Sequence, residues 1–261
     1  MKEHSSPILS AHEVSFQVNA TRIVDNVSFS LGHEEVLGLI GPSGSGKSVL
    51  LKILSQVYEP TSGSVECAVN DHHELSLMFQ EGALFDSLSV LDNVAFPLVD
   101  GRVPCSSLPW AQRQRVCDKA YAILDRVGLK KHAAKVPGQL SGGMRRRVSL
   151  ARALVSEPKV ALLDDPTAGL DPVASSVIME LIRSLHDTYH TSLILVSHDL
   201  RRLLPVSDRV LALFDGRIIF DGQVEDIASH APEVLRRFVA CRYDVNHANG
   251  VSSGDSSGSG Q

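Results

Sequence analysis

Hydrophobic and polar residues alternate along residues 8–31, where β-branched residues are also frequent. A period of two is typical of strands with one buried face, so this stretch predicts two or three antiparallel strands. Residues 36–40 form a short apolar run, the pattern of a strand buried on both faces. A glycine-rich loop and a helical pattern over residues 48–56 follow directly. Strand, glycine loop and helix in this order are the context that a phosphate-binding loop requires.

Helical periodicity replaces the strand patterns over residues 82–158. The clearest helix spans about residues 109–127, with Pro109 suited to its first turn and Gly128 to its end. Its apolar stripe is predicted to contain Val116, Cys117, Ala120, Tyr121, Ile123, Leu124 and Val127. We therefore expect a helical subdomain inserted into the rest of the fold.

Strand patterns return after the helical segment, at residues 160–163, 192–196 and 210–214. A helix is predicted between the first two of them, over residues 172–186. The pair Asp215 and Gly216 joins the last strand to residues 218–220, which is a hairpin signal. Strands that alternate with helices indicate a mainly parallel sheet.

These patterns together predict an α/β fold with a mainly parallel core sheet, an N-terminal antiparallel β subdomain and an inserted helical subdomain. We expect one domain over residues 1–246, with a core of about 1–81 and 159–246 and a helical subdomain of about 82–158. Residues 247–261 are rich in Ser and Gly, so we expect this tail to be disordered.

Composition and charge exclude several classes of protein. The formal net charge of -5 gives no overall attraction to nucleic acid, so we expect no nucleic-acid partner. The four cysteines are scattered without a Cys-x-x-Cys pair, which argues against a zinc site or a disulfide framework and suits a reducing cytosol. The N-terminus lacks the apolar core of a signal peptide, and no run approaches the roughly 20 apolar residues that span a bilayer. We expect a protein that reaches a membrane only through a partner.

The glycine-rich loop carries the first chemical motif. Residues 41–48, named the phosphate loop below, match the pattern G-x-x-x-x-G-K-[ST] in full. Glycines let successive backbone N–H groups converge on phosphate oxygens, and the N-terminus of the following helix adds to this attraction. Lys47 is predicted to neutralise the β- and γ-phosphates, and the Ser48 hydroxyl to bind Mg²⁺. The predicted nucleotide contacts are Gly41, Ser43, Gly44, Ser45, Gly46, Lys47, Ser48 and Val49.

A second motif is an apolar strand that ends in a carboxylate, Asp164. An aspartate in this position holds Mg²⁺ directly or through water in phosphate-loop nucleotide hydrolases. By itself it is a weak signal, but together with the phosphate loop it predicts a nucleotide site with a bound Mg²⁺.

The sequence Leu-Ser-Gly-Gly-Met at residues 140–144, named the signature loop below, lies between these two motifs. It resembles the LSGGQ signature of ABC ATPases, a family whose other elements also occur here in order. Gln80 lies in a segment similar to the family's Q-loop, Gly169-Leu170-Asp171 resembles its D-loop, and His198 follows an apolar strand as the switch histidine does.

The resemblance implies an ATPase that works as a homodimer. ATP on the phosphate loop of one copy would be closed over by the signature loop of the second copy. The resemblance makes Asp165, His198 and Gln80 the catalytic residues, and it adds Gln80 to Ser48 and Asp164 as a ligand of Mg²⁺. It also adds nucleotide contacts from Ser141, Gly142, Gly143 and Asp171.

Asp165 is the main departure from the family, which normally has glutamate after the strand-ending aspartate. Aspartate keeps the carboxylate but retracts it by one methylene, and a misplacement of about 1 Å can cost about 10²-fold in rate. We predict slow but real hydrolysis, and a subunit that does not hydrolyse ATP is the alternative. The aromatic residue that stacks on adenine in the family would fall near Val18, so Phe16 or Arg22 is a candidate replacement.

Residues 78–90, 92–98 and 140–147 resemble the corresponding segments of Mla-type ATPases. Those proteins drive phospholipid movement between bacterial membranes with an MlaE-like permease and a lipid-carrying MCE protein. The resemblance implies a lipid transporter at the cytoplasmic face of the inner membrane, with the permease contacting the segment between Gln80 and Pro97. Two alternatives stay open: an ABC transporter for another substrate, and an ABC ATPase without a permease.

Overall fold

The computed structural model describes residues 6–69, 71, 74–80 and 82–241. Nine strands lie in these parts of the chain: β1 (Leu9–Val18), β2 (Thr21–Leu31), β3 (Val36–Ile40), β4 (Ser62–Cys67), β5 (Leu75–Met78), β6 (Val160–Asp164), β7 (Ser192–Val196), β8 (Arg209–Phe214) and β9 (Arg217–Gly222). The described α-helices are α1 (Lys47–Leu54), α2 (Val90–Ala95), α3 (Trp110–Arg126), α4 (Gly142–Leu154), α5 (Pro172–Tyr189), α6 (Leu200–Leu203), α7 (Ile227–His230) and α8 (Glu233–Ala240). The predicted tail at residues 247–261 lies outside the described residues.

The core is a six-stranded mixed sheet in the order β5-β6-β7-β3-β8-β9. Its first five strands are parallel, and β9 pairs antiparallel with β8 through the predicted hairpin. Every residue of β3, β6 and β7 is buried, because these strands are apolar on both faces and have neighbours on both sides. Parallel strands bring their carboxyl ends to one edge, so the loops after β3, β6 and β7 meet there.

A second sheet of three antiparallel strands, in the order β2-β1-β4, covers part of the core. Its apolar side chains share one buried cluster with β3 and α1, which includes Leu9, Val27, Leu39 and Leu50. The antiparallel pair β1 and β2 confirms the prediction for residues 8–31. The helix that follows the phosphate loop is therefore held by apolar contacts from both sheets.

The helices α2, α3 and α4 pack against one another between the halves of the core sequence. Helix α3 begins after Pro109 and buries Val116, Ala120, Ile123 and Leu124, much as predicted. Placing Tyr121 in the buried stripe was wrong, since its position faces outward and the residue is 37% exposed. The boundaries given above for a helical subdomain stay a prediction.

Two short helices, α7 and α8, follow the core sheet and were not predicted from the sequence. Helix α8 buries Leu235 and Val239 and places Phe238 edge-on against Phe214 at a ring-centroid distance of 5.4 Å. Within the parts of the chain that the structure describes, every helix is too short or too polar to cross a lipid bilayer.

Candidate nucleotide site

The phosphate loop turns tightly between β3 and α1. Gly44 and Gly46 have φ angles of 80° and 102°, which glycine adopts without strain. A Cβ atom on Gly46 would lie 2.6 Å from the carbonyl oxygen of Ile23, so a larger residue would push the loop off β2. Helix α1 begins at Lys47 without a side-chain cap, which leaves its first N–H groups for a ligand. This cradle fits a phosphate group.

Lys47 is buried within the phosphate loop. Its Nζ donates hydrogen bonds to the carbonyl oxygens of Gly41 at 2.9 Å and Pro42 at 2.8 Å. The ammonium group is thereby held beside the uncapped start of α1. A cavity of about 360 Å³ opens here, lined by Ile23, Ser43, Gly44, Gly46, Lys47, Ser48, Val49, Gln80, Asp164, Val196 and His198.

Asp164 ends β6 at the wall of this cavity and is buried. Burial raises the pKa of its carboxyl group, while a hydrogen bond from Ser48 and the charge of Lys47 act in the opposite direction. Ser48 and Gln80 line the same cavity and also carry side-chain oxygens. Oxygen atoms of this kind are the ligands that Mg²⁺ prefers, so the three residues predicted to hold the metal fit that ion.

The residues predicted to be catalytic meet at the same edge of the core sheet, beside the phosphate-loop cavity. Asp165 is buried, and its Oδ2 lies 3.8 Å from Nε2 of His198. Gln80, Asp165 and His198 all line a second cavity of about 580 Å³. Burial raises the pKa of the Asp165 carboxyl, and the nearby His198 lowers it. A carboxylate and an imidazole in this position could orient a water molecule and accept its proton.

The residues of the signature loop lie elsewhere. Ser141 caps α4 by accepting a hydrogen bond from the N–H of Met144, and Asp171 caps α5 in the same way from Val173 and Ala174. Gly142 lines a third cavity of about 450 Å³. The described residues around the phosphate loop do not include Ser141, Gly142, Gly143 or Asp171. One chain therefore brings the two predicted groups of nucleotide contacts to different places.

Among the described residues, those that line the phosphate-loop cavity include no Phe, Tyr or Trp that could stack on adenine. Val18, the last residue of β1, is 46% exposed. The ring of Phe16 already stacks on Tyr58 at 5.4 Å, and Arg22 pairs with Asp25 at 2.6 Å. Ile23 does line the phosphate-loop cavity, although no sequence motif singled it out.

Asp25 connects the phosphate loop to both sheets. Its carboxylate accepts hydrogen bonds from Arg22 and Arg217, each at 2.6 Å. Its backbone N–H donates to the carbonyl oxygen of Gly216, and the N–H of Gly216 donates to the carbonyl oxygen of Ser45. The hydrogen bonds from Arg22 and then Arg217 lower the pKa of Asp25.

We expect Asp25→Asn to lower the midpoint of thermal unfolding at neutral pH. Because the folded-state pKa of Asp25 is depressed, its stabilisation is present above the unfolded-state value of about 3.9 and is lost as the pH falls through the folded-state pKa. The measurement is thermal unfolding of both proteins over a pH series, with the exposed Asp118→Asn as control. The stability difference should persist from neutral pH down to about pH 4 and shrink below it. A constant difference at all pH values would contradict a role for the charge.

A family model described as "ABC transporter" matches residues 24–168, which include the phosphate loop, the signature loop and Asp164. The chain belongs to the ABC transporter family. Membership confirms the prediction of an ATP-binding subunit that hydrolyses ATP, whereas the roles of single residues and the effect of Asp165 stay predictions.

Proteins of similar sequence include a chloroplast protein and several methionine import ATP-binding proteins. Protein TRIGALACTOSYLDIACYLGLYCEROL 3, chloroplastic, from Arabidopsis thaliana is 34% identical over 94% of this chain and 76% of its own. The methionine import ATP-binding protein MetN of Caulobacter vibrioides is 36% identical over 87% of this chain and 70% of its own. MetN of Carboxydothermus hydrogenoformans is 34% identical over 79% of this chain, which spans only 62% of that relative's length.

Solved structures of ABC cassettes share the fold. The dimeric structure of the ATP-binding cassette MJ0796 bound to ADP and Pi has a TM-score of 0.72 at 27% identity, over 83% of this chain and 98% of the other. The structure of cbiO1 from Clostridium perfringens, part of the transporter complex cbiONQ, has a TM-score of 0.73 at 26% identity, over 95% and 100%. These likenesses confirm the predicted α/β cassette with its antiparallel β subdomain and helices.

Proposed function

We propose that this ABC ATPase is the motor subunit of a membrane transporter and that two copies close over ATP at their shared face. The observation that carries the proposal is the division of the site within one chain. The phosphate loop lines one cavity, whereas Gly142 of the signature loop lines another, and the two cavities share no lining residue. The dimeric form of MJ0796 supports the same arrangement here.

Each group in the phosphate-loop cavity has a proposed role. The N–H groups of the phosphate loop and of α1 bind phosphate oxygens, and Lys47 neutralises their charge. Ser48, Asp164 and Gln80 would hold Mg²⁺, which supplies further charge stabilisation when bound. Asp165 takes a proton from the attacking water, and His198 orients the reacting groups. Ser141, Gly142, Gly143 and Asp171 contact ATP held by the partner copy.

The proposed motor role does not by itself specify which molecule the transporter moves. The names of the methionine import relatives favour the non-lipid alternative over the phospholipid prediction made from the sequence, and we propose a small polar substrate such as methionine. The MCE protein has no support among the relatives. A lipid substrate is the second candidate because the Arabidopsis relative, named for a diacylglycerol glycolipid, aligns over 94% of this chain.

Purification from native membranes in mild detergent tests the transporter proposal. We expect an integral membrane permease to accompany the chain. Phe85 is 41% exposed within the segment proposed to contact the permease, so Phe85→Ala should reduce recovery of the permease. Val57→Ala, at a residue that is 53% exposed outside that segment, is the matched control. Recovery without any membrane protein, even after cross-linking, would contradict the proposal.

Reconstitution of the purified complex into liposomes then distinguishes the two substrate classes. Stimulation of ATP hydrolysis by added L-methionine, with no response to the lipid composition, would support a small polar substrate. Stimulation that depends on the phospholipid content, with no response to amino acids, would support lipid transport instead.

A further inference from the structure

The backbone of Gly82 and Ala83 is held by two side chains of α4. The guanidinium of Arg152 donates to the carbonyl oxygen of Ala83 at 2.8 Å and to that of Gly82 at 2.7 Å. The hydroxyl of Ser149 donates to the same oxygen of Gly82 at 3.1 Å. Arg152 thus bridges two successive carbonyl groups, which a planar guanidinium does with two parallel N–H bonds and an ammonium group does not.

This contact leaves little freedom to the backbone around Gly82. Its φ angle is 77°, and a Cβ atom there would lie 2.5 Å from Oγ of Ser149. Farther along, Asn93 of α2 accepts a hydrogen bond from the N–H of Phe85 at 2.8 Å and donates to the carbonyl of Phe85 at 3.0 Å. Gly82 and Ala83 are therefore hydrogen-bonded to α4, and Phe85 is hydrogen-bonded to α2. Gln80 lies two residues before Gly82.

Helix α4 carries the signature loop at its N-terminus and Arg152 near its C-terminus. Ser141 caps its N-terminus, and Arg152 lies about 16 Å farther along at the usual rise of 1.5 Å per residue. Residues 142–154 form one continuous helix with a buried face that includes Val148 and Leu150, so its two ends are mechanically connected. The hydrogen bonds of Ser149 and Arg152 connect this helix to Gly82 and Ala83.

We propose that Arg152, supported by Ser149, is a positioning residue that couples Gln80 to the signature loop. Contact of Ser141 with ATP in the partner copy sets α4, and Arg152 then sets Gln80 at the chain's own ATP. Each site thus hydrolyses efficiently only when the opposite site holds ATP. The inference rests on the dimeric motor proposed above, and it assigns the link between the two sites to a defined pair of side chains.

The test compares the purified full chain with Arg152→Lys and Ser149→Ala, measuring kcat, KM and the Hill coefficient for ATP and the Mg²⁺ concentration for half-maximal activity. We expect Arg152→Lys to lower kcat about 10-fold or more, because a misplacement of about 1 Å can cost about 10²-fold. The Hill coefficient should fall towards one and the Mg²⁺ requirement should rise, while binding of a fluorescent ATP analogue stays unchanged. A purely structural role would leave the Hill coefficient unaltered.

Arg147→Lys is the matched control, since Arg147 also donates from α4 to a backbone carbonyl, that of Val127 at 3.1 Å, away from Gln80. If Arg152→Lys fails to fold, the smaller change Ser149→Ala carries the test. ATP-driven dimerisation in the Asp165→Asn background separates two failures. Normal dimerisation with unchanged Hill coefficient and Mg²⁺ requirement in both variants would overturn the coupling alone. Absence of dimerisation in the parent chain would overturn the coupling together with the proposed function.

Discussion

Lys47→Ala is expected to reduce kcat/KM for ATP by about 10²–10³-fold, the cost typical of losing one preorganised donor to a transition-state charge. The structure gives a second reason for a large effect. Lys47 is buried, and its two hydrogen bonds to Gly41 and Pro42 fix the turn that forms the phosphate cradle. The substitution removes a positive charge and also frees the backbone that binds the phosphates.

Lys52→Ala is the control for Lys47, because Lys52 lies on the same helix but at its far end, with its Nζ 5.3 Å from the ring centroid of Tyr58. Isothermal titration with ATP and a steady-state ATPase assay should show a loss for Lys47→Ala and near-parental behaviour for Lys52→Ala. Equal losses in the two variants would mean that general charge, rather than the position of Lys47, governs ATP binding.

The central strands of the core sheet could be predicted because each is recognisable from its own run of apolar residues. β3, β6 and β7 are apolar runs buried on both faces, and their observed bounds lie within a residue of the predicted ones. β4 and β5 escaped prediction for a physical reason. β4 is largely exposed and polar, and β5 has only four residues, so tertiary pairing with β1 and β6 decides their structure.

Much of the candidate site could also be predicted, since its residues follow buried parallel strands. The phosphate loop, Asp164 and His198 come directly after β3, at the end of β6 and after β7. Ile23 could not be predicted, because it belongs to β2 in the other sheet and reaches the cavity only through the packing of the two sheets. The hydrogen bond from Arg152 to the carbonyl oxygen of Gly82 likewise depends on how α4 packs, which no local sequence pattern shows.

The backbone at Asp165 is another feature that the sequence does not reveal. Its φ angle is 45°, in the left-handed region where aspartate is several-fold enriched over most other residues. Its N–H donates to the carbonyl oxygen of Val196 at 3.0 Å, which fixes this conformation against β7. Aspartate is therefore well suited to the backbone here, whatever it loses in reach.

Asp165→Asn should lower kcat by about 10²–10⁴-fold, the usual contribution of a positioned general base. The amide is nearly isosteric with the carboxylate and remains beside His198, so ATP binding should be preserved. Single-turnover hydrolysis and ATP binding measured on the same preparation separate the two effects. The exposed Asp187→Asn on α5 is the control, and Asp165→Asn activity close to that of the parent chain would exclude Asp165 as the base.

Asp165→Glu tests whether the reach of the base limits turnover, because it extends the carboxylate by one methylene without removing it. We expect turnover to rise, since the longer side chain brings the base closer to the water, although the left-handed backbone at this residue offsets part of the gain. Steady-state kcat measures the balance. Unchanged or lower turnover in Asp165→Glu would show that the local backbone is built around aspartate and that this chain is not limited by the reach of its base.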